Sequence, residues 1–138
     1  MTTITLDVAP FLKPALALVL TFLIAQALKM FNDARAGHRV LWVGNGGMPS
    51  SHTATVVGLA MVVLFEQGLS LLFLAVVVGA LIVINDAVGV RWEASRHSLF
   101  LNELSKKEQF KIVGHRPLEV LAGAAVGVIV PVIVYSLV

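Results

Sequence analysis

Residues 69–90 read LSLLFLAVVVGALIVINDAVGV, with no charge before Asp86. A helix needs ~20 mostly apolar residues to cross the hydrocarbon core of a bilayer. This run is long enough, and it is apolar all round rather than along one stripe. A helix of that kind is buried in a large core or faces lipid. The chain has only 138 residues, 58% of them hydrophobic and 13% charged, with a mean hydropathy of +0.92. Ordinary soluble domains are roughly a quarter charged. Lipid is therefore the expected surroundings, and residues 1–138 have room for a single domain.

Three more apolar runs lie outward from this one: Pro10–Lys29, Ser51–Gln67 and Leu118–Val138. Glu66-Gln67-Gly68 is a tight connection, which predicts an antiparallel hairpin of the second and third spans. Pro14 falls in the first turns of the first span, where proline is tolerated. Two polar stretches remain. Met30–Pro49 contains the flexible turn Asn45-Gly46-Gly47. In Arg91–Pro117, charged and polar residues separate Trp92, Leu99, Leu104 and Phe110, which reads as an interfacial amphipathic helix followed by a basic turn. The predicted fold is all-α: a membrane bundle of about four transmembrane helices plus that interfacial helix.

Several classes fall away. Cysteine is absent, which removes disulfides and thiolate chemistry. A net charge of +2 is too small to point to nucleic acid. The N-terminus has no basic n-region or cleavage site, so the first apolar run is expected to stay in the mature protein. With four spans, both polar stretches share one side of the membrane. Lys29, Arg35, Arg39, Arg91, Arg96, Lys106, Lys107, Lys111 and Arg116 lie there, against Lys13 alone on the other side. The positive-inside rule makes that side cytoplasmic.

The same topology brings polar groups to one membrane level. Lys29 ends the first span, His52 begins the second, Asp86 and Arg91 end the third, and His115 and Glu119 begin the fourth. Ionisable groups at membrane depth are costly, and they pair or serve a function. Gly46-Gly47-Met48-Pro49-Ser50-Ser51-His52 combines close backbone approach with a helix start, a setting that suits an anion and equally suits a plain N-cap. His115 and Glu119 are four apart and share a helix face. The carboxylate there can fix the imidazole tautomer and leave the other ring nitrogen free. The bland alternative is a capping histidine beside an unrelated carboxylate. Asp86 and Arg91 read equally as an ion pair closing the span. No tight two-histidine metal pattern is present, so neither a metal nor a cofactor is expected.

The residues 46–52, the segment Asn85-Asp86-Ala87-Val88-Gly89-Val90-Arg91 and the stretch from Gly114 to Gly123 together resemble the divergent type 2 phosphatidic acid phosphatase-like family. These are short membrane proteins related to lipid phosphate phosphatases and vanadium haloperoxidases. The resemblance covers about residues 22–128. It implies a metal-independent phosphatase acting on a lipid phosphomonoester or pyrophosphate through a phosphohistidine, in a bacterial inner membrane. His115 matches the nucleophile. Glu119 stands where the superfamily has the aspartate that orients it, and His52 matches the histidine that protonates the leaving group. Ser50 matches the phosphate-contacting serine. Ser51 replaces a glycine, so only its backbone N–H carries over. Lys29, Gly47 and Arg91 complete the implied phosphate set, with Asp86 and Arg39 in support. Gln109 stands where the superfamily has an arginine, and Arg35 and Arg39 both miss the spacing of another.

The competing class is a non-catalytic membrane protein: a scaffold, a lipid-binding module or a pseudo-phosphatase. A transporter is disfavoured by four short spans without an inverted repeat, and a haloperoxidase by the membrane setting. Gly123 and Gly127 form a GxxxG pattern that serves either a homo-oligomer or packing within one chain.

Overall fold

The computed structural model describes residues 9–37, 47–106 and 114–137. It is helical: α1 (Ala9–Arg35), α2 (Ser51–Gln67), α3 (Leu71–Val88), α4 (Val90–Ser105) and α5 (Pro117–Leu137). The described residues contain no strand. Among the described residues, three stretches are long and apolar enough to cross a membrane: Pro10–Arg35, Leu71–Ser105 (which takes in α3) and Pro117–Leu137. α2 has 17 residues. At ~1.5 Å per residue it spans about 25 Å, slightly less than a hydrocarbon core of ~30 Å.

Helix boundaries follow local chemistry. Ser50 caps α2, its side chain accepting from the Thr53 amide, and Ser70 caps α3 in the same way through Phe73. Between them Gly68 turns the chain at φ 64°, a left-handed conformation that favours glycine. α3 ends at Gly89, and α4 begins on its far side. α1 differs from the sequence expectation: it runs past Lys29 to Arg35. The extension holds Met30, Ala34 and Arg35, good helix formers, and no glycine or proline. Lys29 thus sits inside the helix rather than at its end.

Contacts at both ends of the bundle fix the directions. Near one end the Ser50 amide donates to the Glu119 carbonyl, at 2.9 Å. Near the other, Phe65 stacks on Tyr135, and the Tyr135 hydroxyl donates to Glu66. α2 and α5 are therefore parallel. α1 opposes them, with Lys13 over the Tyr135 ring and Lys29 beside Gly47. α3 opposes α2 across the hairpin, and its Ala87 carbonyl accepts from the His115 amide at 3.1 Å. Among the described helices, α4 packs only on α3.

The core is built from small residues. On α1 the buried positions Ala17, Thr21, Ala25 and Lys29 recur every fourth residue. A Cβ on Gly58 would meet the Thr21 methyl at 3.0 Å, and one on Gly123 would lie 2.4 Å from the Ser50 carbonyl oxygen. A Cβ on Gly127 would lie 2.6 Å from the Ala54 carbonyl oxygen. Small residues at such crossings let helix backbones touch, the usual packing device in lipid. Gly123 and Gly127 therefore serve packing within the chain. The large apolar side chains point outward instead: Leu71, Leu74, Leu81 and Ile82 on α3, Leu121 and Ile129 on α5. An apolar exterior of this extent is the mark of a surface covered by lipid.

Candidate functional site

Because α1 and α3 run opposite to α2 and α5, their C-terminal parts meet the N-termini of α2 and α5. His115 precedes α5 by two residues and is only 6% exposed. Its Nδ1 lies 2.8 Å from Glu119 Oε2, and the Arg116 amide donates to the same oxygen at 3.3 Å. An ionised carboxylate only accepts, so Nδ1 carries the proton and Nε2 is the basic nitrogen. The His115 backbone is held too, by its amide bond to Ala87.

His52 lies in the first turn of α2 and is exposed. The charges of Arg91, His115 and Lys29 all act on it. Lys29 is buried at 3% exposure, and Asp33 and Glu119 act on its charge. Helices distant in sequence thus deliver two histidines, a lysine, an arginine and a carboxylate to one region. Arg91 is steered by Asp86, whose Oδ2 accepts from Nε at 2.5 Å across the Gly89 corner. Both partners are substantially exposed. A pair of this kind contributes little stability, about 0–1 kcal/mol in water, and its main effect is on where the guanidinium points.

Gly47 has φ 93°, and a Cβ there would meet Lys29 Cε at 3.0 Å and Asp33 Oδ1 at 3.1 Å. Glycine lets the turn close onto α1. Ser50 is the cap of α2. It is fully buried, and its Oγ accepts from the Thr53 amide and the Thr53 hydroxyl. Its own amide is committed to Glu119. The amides of Ser51 and His52 open the helix instead, where no carbonyl within α2 can pair them. Arg39 lies outside the described residues. Among the described residues no group of three or more His, Cys, Asp or Glu could hold a metal ion.

The structure adds residues that the sequence reading passed over. Asn32 Nδ2 donates to the Met48 carbonyl at 2.9 Å and ties the Gly47 turn to α1. Thr53 braces Ser50. Ser95 accepts from the Gly114 amide at 2.7 Å. Spacing held a partial signal: Asn32 and Asp33 follow Lys29 by three and four residues, and Ser95 follows Arg91 by four, so each shares a helix face with a candidate.

The model of the family described as Divergent PAP2 matches residues 12–130. The chain belongs to the Divergent PAP2 family. The membrane protein YuiD of Bacillus subtilis (strain 168), described as uncharacterized, is 30% identical over 145 aligned residues, covering 87% of this chain and 92% of the relative. No solved structure matches. With its apolar helices and a membrane-protein relative, this Divergent PAP2 member is an integral membrane protein. The candidate site residues, Lys29 through Glu119, all fall within the matched segment.

Proposed function

We propose that the protein is a metal-independent lipid phosphate phosphatase that works through a phosphohistidine. The observation that carries this reading is the His115–Glu119 pair at 2.8 Å, its histidine buried, with the charges of Arg91, Lys29 and His115 acting together on His52. A nucleophile held by an orienting partner is the general signature of covalent catalysis. The substrate is a lipid phosphomonoester or pyrophosphate whose headgroup enters from the cytoplasmic leaflet. Lys29, Arg91 and the amides at the start of α2, opened by Gly47, hold the phosphoryl oxygens. Donors preorganised in this way supply several kcal/mol of transition-state stabilisation.

His115 Nε2 attacks phosphorus in line, and the bond to the lipid oxygen breaks. Glu119 stabilises the imidazolium. Protonated His52 gives its proton to the leaving oxygen, an assistance worth ~10²–10⁴-fold. Water then attacks the phosphohistidine, His52 takes a proton from it, and the P–N bond breaks to release phosphate and restore His115.

The test is phosphate release from a panel of lipid phosphates by purified protein in detergent micelles, with and without vanadate. His115→Ala is expected to abolish release with helicity and elution unchanged, and vanadate is expected to inhibit the wild type. Activity retained by His115→Ala would refute the nucleophile assignment. One observation favours a second reading, a lipid-phosphate-binding protein without turnover: the Ser50 hydroxyl is buried in its cap. Vanadate binding without phosphate release from any lipid would select it.

A further inference from the structure

Ser95 has no part in the chemistry above, yet it is among the least exposed polar residues of the protein, at 2%. Its hydroxyl donates to the Arg91 carbonyl at 2.8 Å, a common bond from a helical serine to the carbonyl four residues back. The uncommon part is what its oxygen accepts. The Gly114 amide, nineteen residues along the chain, donates to it at 2.7 Å. Gly114 itself lies on the Arg91–Trp92 peptide: a Cβ there would be 2.5 Å from the Trp92 Cα and 2.7 Å from the Arg91 carbonyl carbon. The next residue is His115, whose amide is tied to Ala87.

We propose that Ser95 is a positioning residue for the site, holding the backbone of Arg91 and the approach to His115 in one register through a single hydroxyl. This rests on the phosphatase reading, in which Arg91 binds the phosphoryl group and His115 attacks it. The two groups sit on different segments, and the Ser95 bridge joins those segments directly. Without the hydroxyl the Gly114 amide loses a buried partner, and the His115 ring loses one of the two backbone ties that aim it.

Ser95→Ala is compared with wild type and with Ser98→Ala. Ser98 makes the same bond to the carbonyl four residues back, at 2.9 Å, but on an exposed face. Ser95→Ala is expected to lower kcat by on the order of tenfold to hundredfold, the scale at which a shift of about 1 Å in a reacting group is felt, with KM nearly unchanged. Ser98→Ala is expected to match wild type. A second readout does not depend on activity: nitrogen NMR of the labelled histidines follows the His115 Nδ1 resonance that reports the Glu119 bond. Ser95→Ala is expected to shift or broaden it. If wild type turns over and Ser95→Ala keeps its kcat, the proposal is overturned and the phosphatase reading stands. If wild type is inactive, that reading fails, and an unchanged His115 resonance in Ser95→Ala overturns the proposal independently.

Discussion

Ser50 illustrates how one side chain can hold a site without being visible from outside it. Its oxygen accepts from the Thr53 amide and hydroxyl, and its amide donates to the Glu119 carbonyl. The start of α2 and the first turn of α5 are thus fastened through a single residue. Loss of an N-cap side chain costs ~1 kcal/mol. Ser50→Ala is expected to lower thermal stability in detergent by about that much. It is also expected to reduce turnover, because His52 and His115 are carried by the two helix starts it joins. The sequence made the cap legible, since a serine before an apolar run is a helix-start signal. It did not reveal the bond to Glu119, which depends on how closely α2 and α5 approach.

That approach is set at the level of the helix. Gly123 and Gly127 of α5 lie on the α2 backbone, where a Cβ would be 2.4 Å and 2.6 Å from carbonyl oxygens. Backbone cannot give way as a flexible side chain can. Overpacking of this kind costs about 1–3 kcal/mol. Gly123→Ala is expected to destabilise the protein on that scale and to impair any activity, by pushing Glu119 away from Ser50. Gly79 of α3 is the matched control: a Cβ there meets nothing within 4 Å. Gly79→Ala is expected to be neutral or stabilising by about 0.5–1 kcal/mol, the difference in helix preference. Thermal unfolding of the two variants side by side checks both. The GxxxG spacing was plain in the sequence, but spacing alone does not say whether the partner helix is in the same chain. The continuation of α1 to Arg35 was hidden for a related reason. Hydropathy falls where apolar residues give way to polar ones, and a helix has no need to stop there.

For the whole molecule, four apolar runs and the convergence of Lys29, His52, Asp86, Arg91, His115 and Glu119 followed from counting helices and alternating their direction. The bracing by Asn32, Thr53 and Ser95 did not, because each acts across a tertiary contact. On the charge bias the site end is expected to face the cytoplasm. With no native cysteine, single cysteines can report on this directly. In intact cells, an impermeant maleimide is expected to label Gln67→Cys, at the far end of the bundle, and to leave Ser105→Cys unlabelled. The reverse pattern would turn the site outward.

The parallel arrangement of α2 and α5 also bears on how the protein is made. Lys29, His52 and Arg91 leave the ribosome before His115 and Glu119, which belong to the last helix. A chain synthesised only as far as Ser105 carries the groups that would bind phosphate but nothing to attack it. It also lacks the helix whose Glu119 carbonyl fastens the cap of α2. On the phosphatase reading, assembly and competence are therefore expected to arrive together, when Pro117–Leu137 docks on the other helices. A nascent chain is then expected to stay chemically silent until the bundle is whole.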